Sequence, residues 1–315
     1  MQLTTKVPIR KADIAINYAS KIVLLGSCFA DNMGEKFQYF KFQTTVNPFG
    51  IIFNPMSLAN IIERSLKQHY YTEKDIFFHN ELWHCFDVHS ELSNPNKETF
   101  LNYLNELLDS TNKQLHDSTH IIITLGTSWV YRFVETEQIV ANCHKVPQKQ
   151  FTKELLSVDD ITKSLETIVS LINTVNSKVS IIFTVSPVRH IKDGFIENTQ
   201  SKAHLITAIH SNNQEPATSN YFPSYEIMMD ELRDYRFYAE DMLHPNQTAI
   251  NYIWEKFQQV WISEETIKTM DIVETIQKGL LHKPFNPNSE AHKVFIQKLE
   301  AYKLKVQKEH PHIVF

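Results

Sequence analysis

Two well-separated stretches of the chain carry residues that could together activate a hydroxyl and attack a carbonyl. One is KIVLLGSCFADNMGEKF, which contains Ser27; the other is EDMLHPNQTAINYIWEKF, which contains Asp241 and His244. A serine hydroxyl is a weak nucleophile until a base takes its proton, and an imidazole base works best when a carboxylate orients it. Asp-x-x-His in a tight turn can set the carboxylate beside Nδ1 and leave Nε2 facing outward. The plainer alternative is a turn aspartate beside a solvated histidine. Ser27 has two readings as well. After an apolar run and before a helical pattern, it suits an N-cap. The same place offers unpaired N–H groups and positive potential, which stabilise an oxyanion.

The elements that must position these residues are legible as apolar runs. Ile22–Leu25, Ile121–Leu125 and Val179–Val185 are almost continuously apolar and β-branched. That pattern suits strands buried on both faces of a parallel sheet. Helical patterns separate them. PMSLANIIERSLKQHY places Pro55 at a first helical position and sets Leu58, Ile61, Ile62 and Leu66 on one face. NKETFLNYLNELLDSTNKQL and VDDITKSLETIVSLINTVN have the same periodicity. The alternation predicts an α/β layered domain. IFFHNELWHCFDV predicts a hairpin around His79-Asn80, and WVYRFVETEQIVANCHK a second one turning near Glu135–Glu137. TAINYIWEKFQQVWI predicts a helix on the sheet. From about Ser263 onward the chain is helical and charged, with Val294, Phe295, Leu299, Tyr302 and Leu304 at helical spacing. This implies an α/β domain over 1–262 and a helical extension over 263–315, the latter a lid, an oligomer contact or a packing helix.

Composition bounds the partners. The 315 residues are 42% hydrophobic and 21% charged, as in ordinary globular proteins. A net charge of −5 with interspersed signs gives no basic stripe, so no nucleic-acid partner is expected. No leader-like or membrane-spanning apolar stretch stands out, which makes cytoplasmic residence the expectation. The three cysteines, Cys28, Cys85 and Cys143, make no disulfide framework and no zinc spacing. His69, His79, His84 and His89 lack a ligand spacing. No metal or other cofactor is expected.

Gly26-Ser27-Cys28-Phe29-Ala30 reproduces the GSCFA signature that names a bacterial family. The resemblance continues through NPFGIIFNP (Asn47–Pro55), TLGTSWVY (Thr124–Tyr131), ANCHK (Ala141–Lys145), SPVRH (Ser186–His190), YFPSYEI (Tyr221–Ile227) and DMLHPN (Asp241–Asn246). That family is distantly similar to the SGNH, or GDSL-type, esterases. The resemblance implies a three-layer αβα sandwich with a central parallel sheet, a serine nucleophile after the first strand, and an Asp-x-x-His block before the last core helix. Ser27, Asp241 and His244 match those blocks. The expected activity is a serine esterase or deacylase acting on an O-acyl ester of a polar or carbohydrate-like substrate. An O-acyltransferase with the same triad and a binding protein on the same scaffold remain alternatives. Cys28 is a competing nucleophile, since a helix N-terminus depresses a thiol pKa. Adjacent residues at such a turn point in different directions, so only one faces the crevice; the resemblance favours Ser27 and leaves Cys28 buried.

The oxyanion hole is where the sequence departs from that pattern. SGNH enzymes place an asparagine two residues after a later glycine, and here Ser128 stands in its position after Gly126. Candidate donors are the Ser27 N–H, Gly50, Ser128 and Asn47. Asn142, His144, Arg189 and His190 are candidates for binding substrate. Arg189 could equally pair with Asp193 or Glu197, and His144 could equally sit in a loop. The helical C-terminus leaves room for a homo-oligomer.

Overall fold

The structure, a computed structural model, describes residues 4–211 and 219–315. Its first half runs β1 (Lys21–Gly26), α1 (Cys28–Tyr39), β2 (Gln43–Val46), α2 (Pro55–Leu66), β3 (Phe77–His79), β4 (Leu82–His84), α3 (Lys97–Asp117) and β5 (His120–Leu125). Then come β6 (Trp129–Phe133), β7 (Ile139–Val140), β8 (Phe151–Leu155), α4 (Val158–Val175), β9 (Ser180–Val185), α5 (Phe195–Ser211) and β10 (Ser219–Phe222). The chain closes with α6 (Ser224–Glu226), which runs into a π turn over Ile227–Glu231, and with α7 (Gln247–Trp261), α8 (Glu264–Leu281) and α9 (Glu290–Glu309).

Five strands form a parallel sheet in the order β10-β9-β5-β1-β2. The three apolar runs are its central strands. Their alternate residues supply two separate cores, which explains why they are apolar throughout. Val23, Leu25, Ile121 and Ile123 face a layer made by α2, α3, α4 and α5. Ile22, Leu24 and Ile122 face α1, α7, α8 and α9. The result is a three-layer αβα sandwich. The two edge strands, β2 and β10, have no apolar run to betray them, because an edge strand on a covered sheet buries little.

Both predicted hairpins form. β3 and β4 pair around Asn80 and Glu81, which adopt the positive φ of 46° and 63° that a two-residue turn requires. β6 pairs with β7 as expected and also with β8, giving a small antiparallel sheet that leaves the main sheet directly after β5. α2 starts at Pro55 behind an Asn54 cap. At the C-terminus the buried stripe of α9 follows Leu299 and Val306, with Phe295 and Tyr302 half-buried, while Val294 and Leu304 are exposed. The expected apolar face is thus rotated: residues 295, 299, 302 and 306 recur at helical spacing, and 294 and 304 fall off that line. Met270, Val273, Ile276, Leu299 and Val306 join the core cluster of α1 and α7, so the extension is packed onto the sandwich. No helix among the described residues is long and apolar enough to cross a membrane.

Candidate active site

The chain leaves β1 toward β2 on one side and later returns to β5 on the other. The carboxyl edge beside β1 is therefore the point where strand order reverses, which is where open α/β sheets bind ligands. Nearly every block singled out in the sequence ends there. Ser27 and Cys28 follow β1, Asn47 follows β2, Gly126–Ser128 follow β5, and Ser186–His190 follow β9. The segment 47–53 closes over the edge: the Ile52 N–H donates to Gly26 O (3.0 Å) and the Gly126 N–H to Phe53 O (2.8 Å). Phe53 stacks on His190 at 6.0 Å between ring centroids.

Gly26 sets the turn that opens the site. Its φ is 134°, and a Cβ there would stand 2.1 Å from the Thr124 carbonyl oxygen. Only glycine lets β1 run this close to β5 and still swing into α1. Ser27 follows in extended conformation as the N-cap of α1, with Oγ accepting the Phe29 N–H at 3.3 Å.

Asp241 and His244 form the expected pair. The Asp241 carboxylate accepts the Leu243 N–H at 2.8 Å, the His244 N–H at 3.0 Å and His244 Nδ1 at 2.6 Å. Three donors hold the acid ionised: the His244 amide foremost, then its ring and the Leu243 amide, bring the Asp241 pKa to about 2. An ionised carboxylate only accepts, so Nδ1 carries the proton. Nε2 of the neutral ring is then left as a lone pair, which is what a general base needs. Nε2 has no hydrogen-bond partner among the described residues. The turn is fixed from the β9 side. The Arg189 N–H donates to Leu243 O (3.2 Å), the Arg189 guanidinium donates to Met242 O, and it stacks 4.6 Å from the Tyr238 ring. Arg189 thus holds the Asp241–His244 turn, where substrate binding or a pair with Asp193 or Glu197 was expected; Asp193 pairs with Lys153 instead.

Beside this turn lies His190. Its Nε2 is buried without a hydrogen-bond partner and would sit 3.5 Å from a methyl placed on Gly126. Its backbone N–H is held by Asn198 Oδ1 at 2.8 Å. Burial, then the charges of Lys202 and His244, push its pKa down to about 4, so the ring is neutral near pH 7.

Lys202, which the sequence reading missed, completes the edge. Its side chain is 1% exposed, and Nζ donates to Gly126 O (2.7 Å) and Ser186 O (2.8 Å), tying the ends of β5 and β9 together. Burial lowers its pKa to about 7. A signal was available: Lys202 lies on the face of α5 that also carries Asn198, Leu205 and Ala208, all buried. A lysine on the core face of an amphipathic helix is rare enough to question.

The four proposed oxyanion donors are all engaged elsewhere. The Ser27 N–H continues the sheet ladder to Thr124 O (3.1 Å), and the Gly50 N–H closes a turn on Asn47 O (2.7 Å). Ser128 is fully buried, and its hydroxyl donates to Ser201 O at 3.0 Å. The Asn47 amide is held at both ends, accepting the Gly26 N–H (2.8 Å) and donating to Asp31 (2.6 Å). Asn142 and His144 do not join the edge: Asn142 Oδ1 caps the His144 N–H, and His144 Nε2 bonds Cys85 O (2.7 Å) among Phe77, His84 and Phe86. The exposure of the first two helix-entry residues is also the reverse of expectation. Ser27 is 1% exposed, while Cys28 is partly open.

A cavity of about 800 Å³ lies elsewhere, between α2, β3 and the small antiparallel sheet. In its lining Arg64 pairs with Asp75 (2.8 Å) and Asp87 (3.6 Å). Among the described residues no cluster of His, Cys, Asp and Glu has the geometry of a metal site.

The family model described as GSCFA family matches residues 21–257, and that described as GSCFA domain protein, C-terminal domain, matches residues 273–315. No curated protein matches the chain.

Proposed function

The chain belongs to the GSCFA family, and from that premise and the geometry of the sheet edge we propose that it is an ester hydrolase or deacylase. Asp241 orients His244, His244 is the general base and then the general acid, and the nucleophile comes from the turn between β1 and α1. The observation that carries this reading is the preformed Asp241–His244 pair. Its 2.6 Å bond fixes the tautomer and leaves Nε2 without a partner, and Arg189 ties the turn that carries it to the chain leaving β9. A hydrolytic site needs little more than a base of this kind, a nucleophile at a helix start and donors for the oxyanion.

The substrate class favoured is a small O-acyl group on a polar or carbohydrate-like alcohol, met in the cytoplasm. Neutral His190 and buried Lys202 offer hydrogen bonds at the edge, which suits a polar acylated alcohol better than a long lipid. Hydrolysis of p-nitrophenyl acetate is the first test. His244→Ala is expected to lower kcat/KM by about 10³-fold or more, because the nucleophile then has no base. Undiminished hydrolysis in that variant contradicts the reading.

A further inference from the structure

We infer that the cavity between α2, β3 and the small antiparallel sheet is a binding site for a neutral saccharide, separate from the hydrolytic edge. Its volume of about 800 Å³ lies in the range that holds small ligands. α2 supplies one wall. Met56, Asn60 and Arg64 recur every four residues, so they share one face of the helix over about 12 Å. The core face of the same helix carries Leu58, Ile61 and Ile62. The helical period that buries those three therefore sets an amide and a guanidinium in the cavity.

The polar wall is already in place. Arg64 Nη2 donates to Asp75 Oδ1 at 2.8 Å, its Nη1 lies 3.6 Å from Asp87 Oδ2, and Asn60 Nδ2 donates to Asp87 Oδ1 at 3.1 Å. The guanidinium also rests 3.8 Å from the centre of the Tyr71 ring. Four planar groups are thereby joined in one chain of contacts, so a ligand loses little to ordering them. The chain is not saturated. Arg64 Nε is buried without a partner among the described residues. Burial raises the Asp87 pKa even beside Arg64, so this is a poorly solvated carboxylate that further donors would stabilise.

β3, the chain after β4, and β6 add aromatic surface. Phe77 and Phe86 lie 4.3 Å apart between ring centroids and Phe86 and Phe133 4.8 Å, and all three are half-buried. The rings pack on one another, so they leave no slot between them for a flat heteroaromatic ligand. They offer the cavity a continuous apolar surface instead. Charge narrows the class further. In the lining, Arg64 and Lys74 are set against Asp75, Asp87 and Glu135. An anion would meet the two carboxylates that flank Arg64, and a cation would compete with Arg64 for them. Fixed donors and acceptors beside apolar rings suit a molecule whose hydroxyls both donate and accept and whose C–H faces are apolar, which describes a saccharide.

Isothermal titration calorimetry of the full chain with cellotetraose, xylotetraose, maltotetraose and chitotetraose, each alone, tests the assignment, with tetragalacturonate as the charged comparison. At least one neutral tetrasaccharide is expected to bind, and tetragalacturonate about tenfold more weakly or worse. Asn60 is exposed, so Asn60→Ala should fold, and it should weaken binding about fivefold to tenfold, as the loss of one hydrogen bond does. Phe77→Ala should weaken it at least as much. His244→Ala should bind like the wild type, because the cavity lies apart from the edge. Binding of none of the neutral sugars, tighter binding of tetragalacturonate, or full affinity in both Asn60→Ala and Phe77→Ala overturns the proposal. Loss of sugar binding in His244→Ala places the sugar at the edge and overturns it as well. Hydrolysis of p-nitrophenyl acetate is read separately, so failure here and failure of the hydrolase reading are distinguishable.

Discussion

The role proposed for His244 as a base depends on Asp241 holding the opposite nitrogen. The carboxylate is exposed, yet three short bonds keep it ionised far below the usual carboxylate range. Replacing it with asparagine keeps the size but puts an amide where the ring N–H points. The ring can then present Nδ1 as acceptor and Nε2 as N–H, which is the wrong tautomer for a base. Asp241→Asn should lower kcat by about 10³–10⁴-fold with KM little changed. A KM effect without a kcat effect would place Asp241 in binding. The pair itself was legible in the sequence because Asp-x-x-His is local, so one tight turn suffices to join its members. Which of Ser27 and Cys28 is the buried helix cap was not legible. It depends on whether the helix begins one residue earlier or later, and no pattern in GSCFA fixes that to a single residue.

At the scale of elements, the site exists because β1 and β5 touch at Gly26. A Cβ there meets the Thr124 carbonyl oxygen at 2.1 Å, and the φ of 134° is foreign to other residues. Gly26→Ala should cost about 2–4 kcal/mol, from strain at the φ and from parting the strands. Denaturant unfolding measures this, and a change under about 0.5 kcal/mol would mean that the turn has slack. The three central strands showed in the sequence because both their faces are buried, whereas β2 (QTTV) and β10 (SNYF) lie at the edges and are short and largely polar. The oxyanion donors were misjudged for a related reason. The Ser27 and Gly50 N–H groups and the Ser128 hydroxyl are near the edge by sequence, but the ladder to Thr124, the turn on Asn47 and the Ser201 contact claim them first. Which partner wins is a matter of packing between elements far apart in the chain.

For the molecule as a whole, buried Lys202 makes stability depend on pH. Its pKa is 10.5 in the unfolded chain and about 7 in the folded one. Between those values the unfolded chain binds more protons, so stability rises with pH through the window. Relative to Lys202→Met, the wild type should gain about 2 kcal/mol of unfolding free energy from about pH 7 to about pH 9. Chemical denaturation at the two pH values measures it, and a flat difference would place the amine in water.

The central claim is that an acyl group passes covalently through the turn after β1 with His244 as base. The direct measurement is to quench the protein in acid during turnover of p-nitrophenyl acetate and map acetylated peptides by mass spectrometry. One acetyl group is expected on the peptide that carries Gly26-Ser27-Cys28, and none on that peptide in His244→Ala. Turnover that leaves this peptide unmodified, or an acetyl group that forms equally without His244, would contradict it.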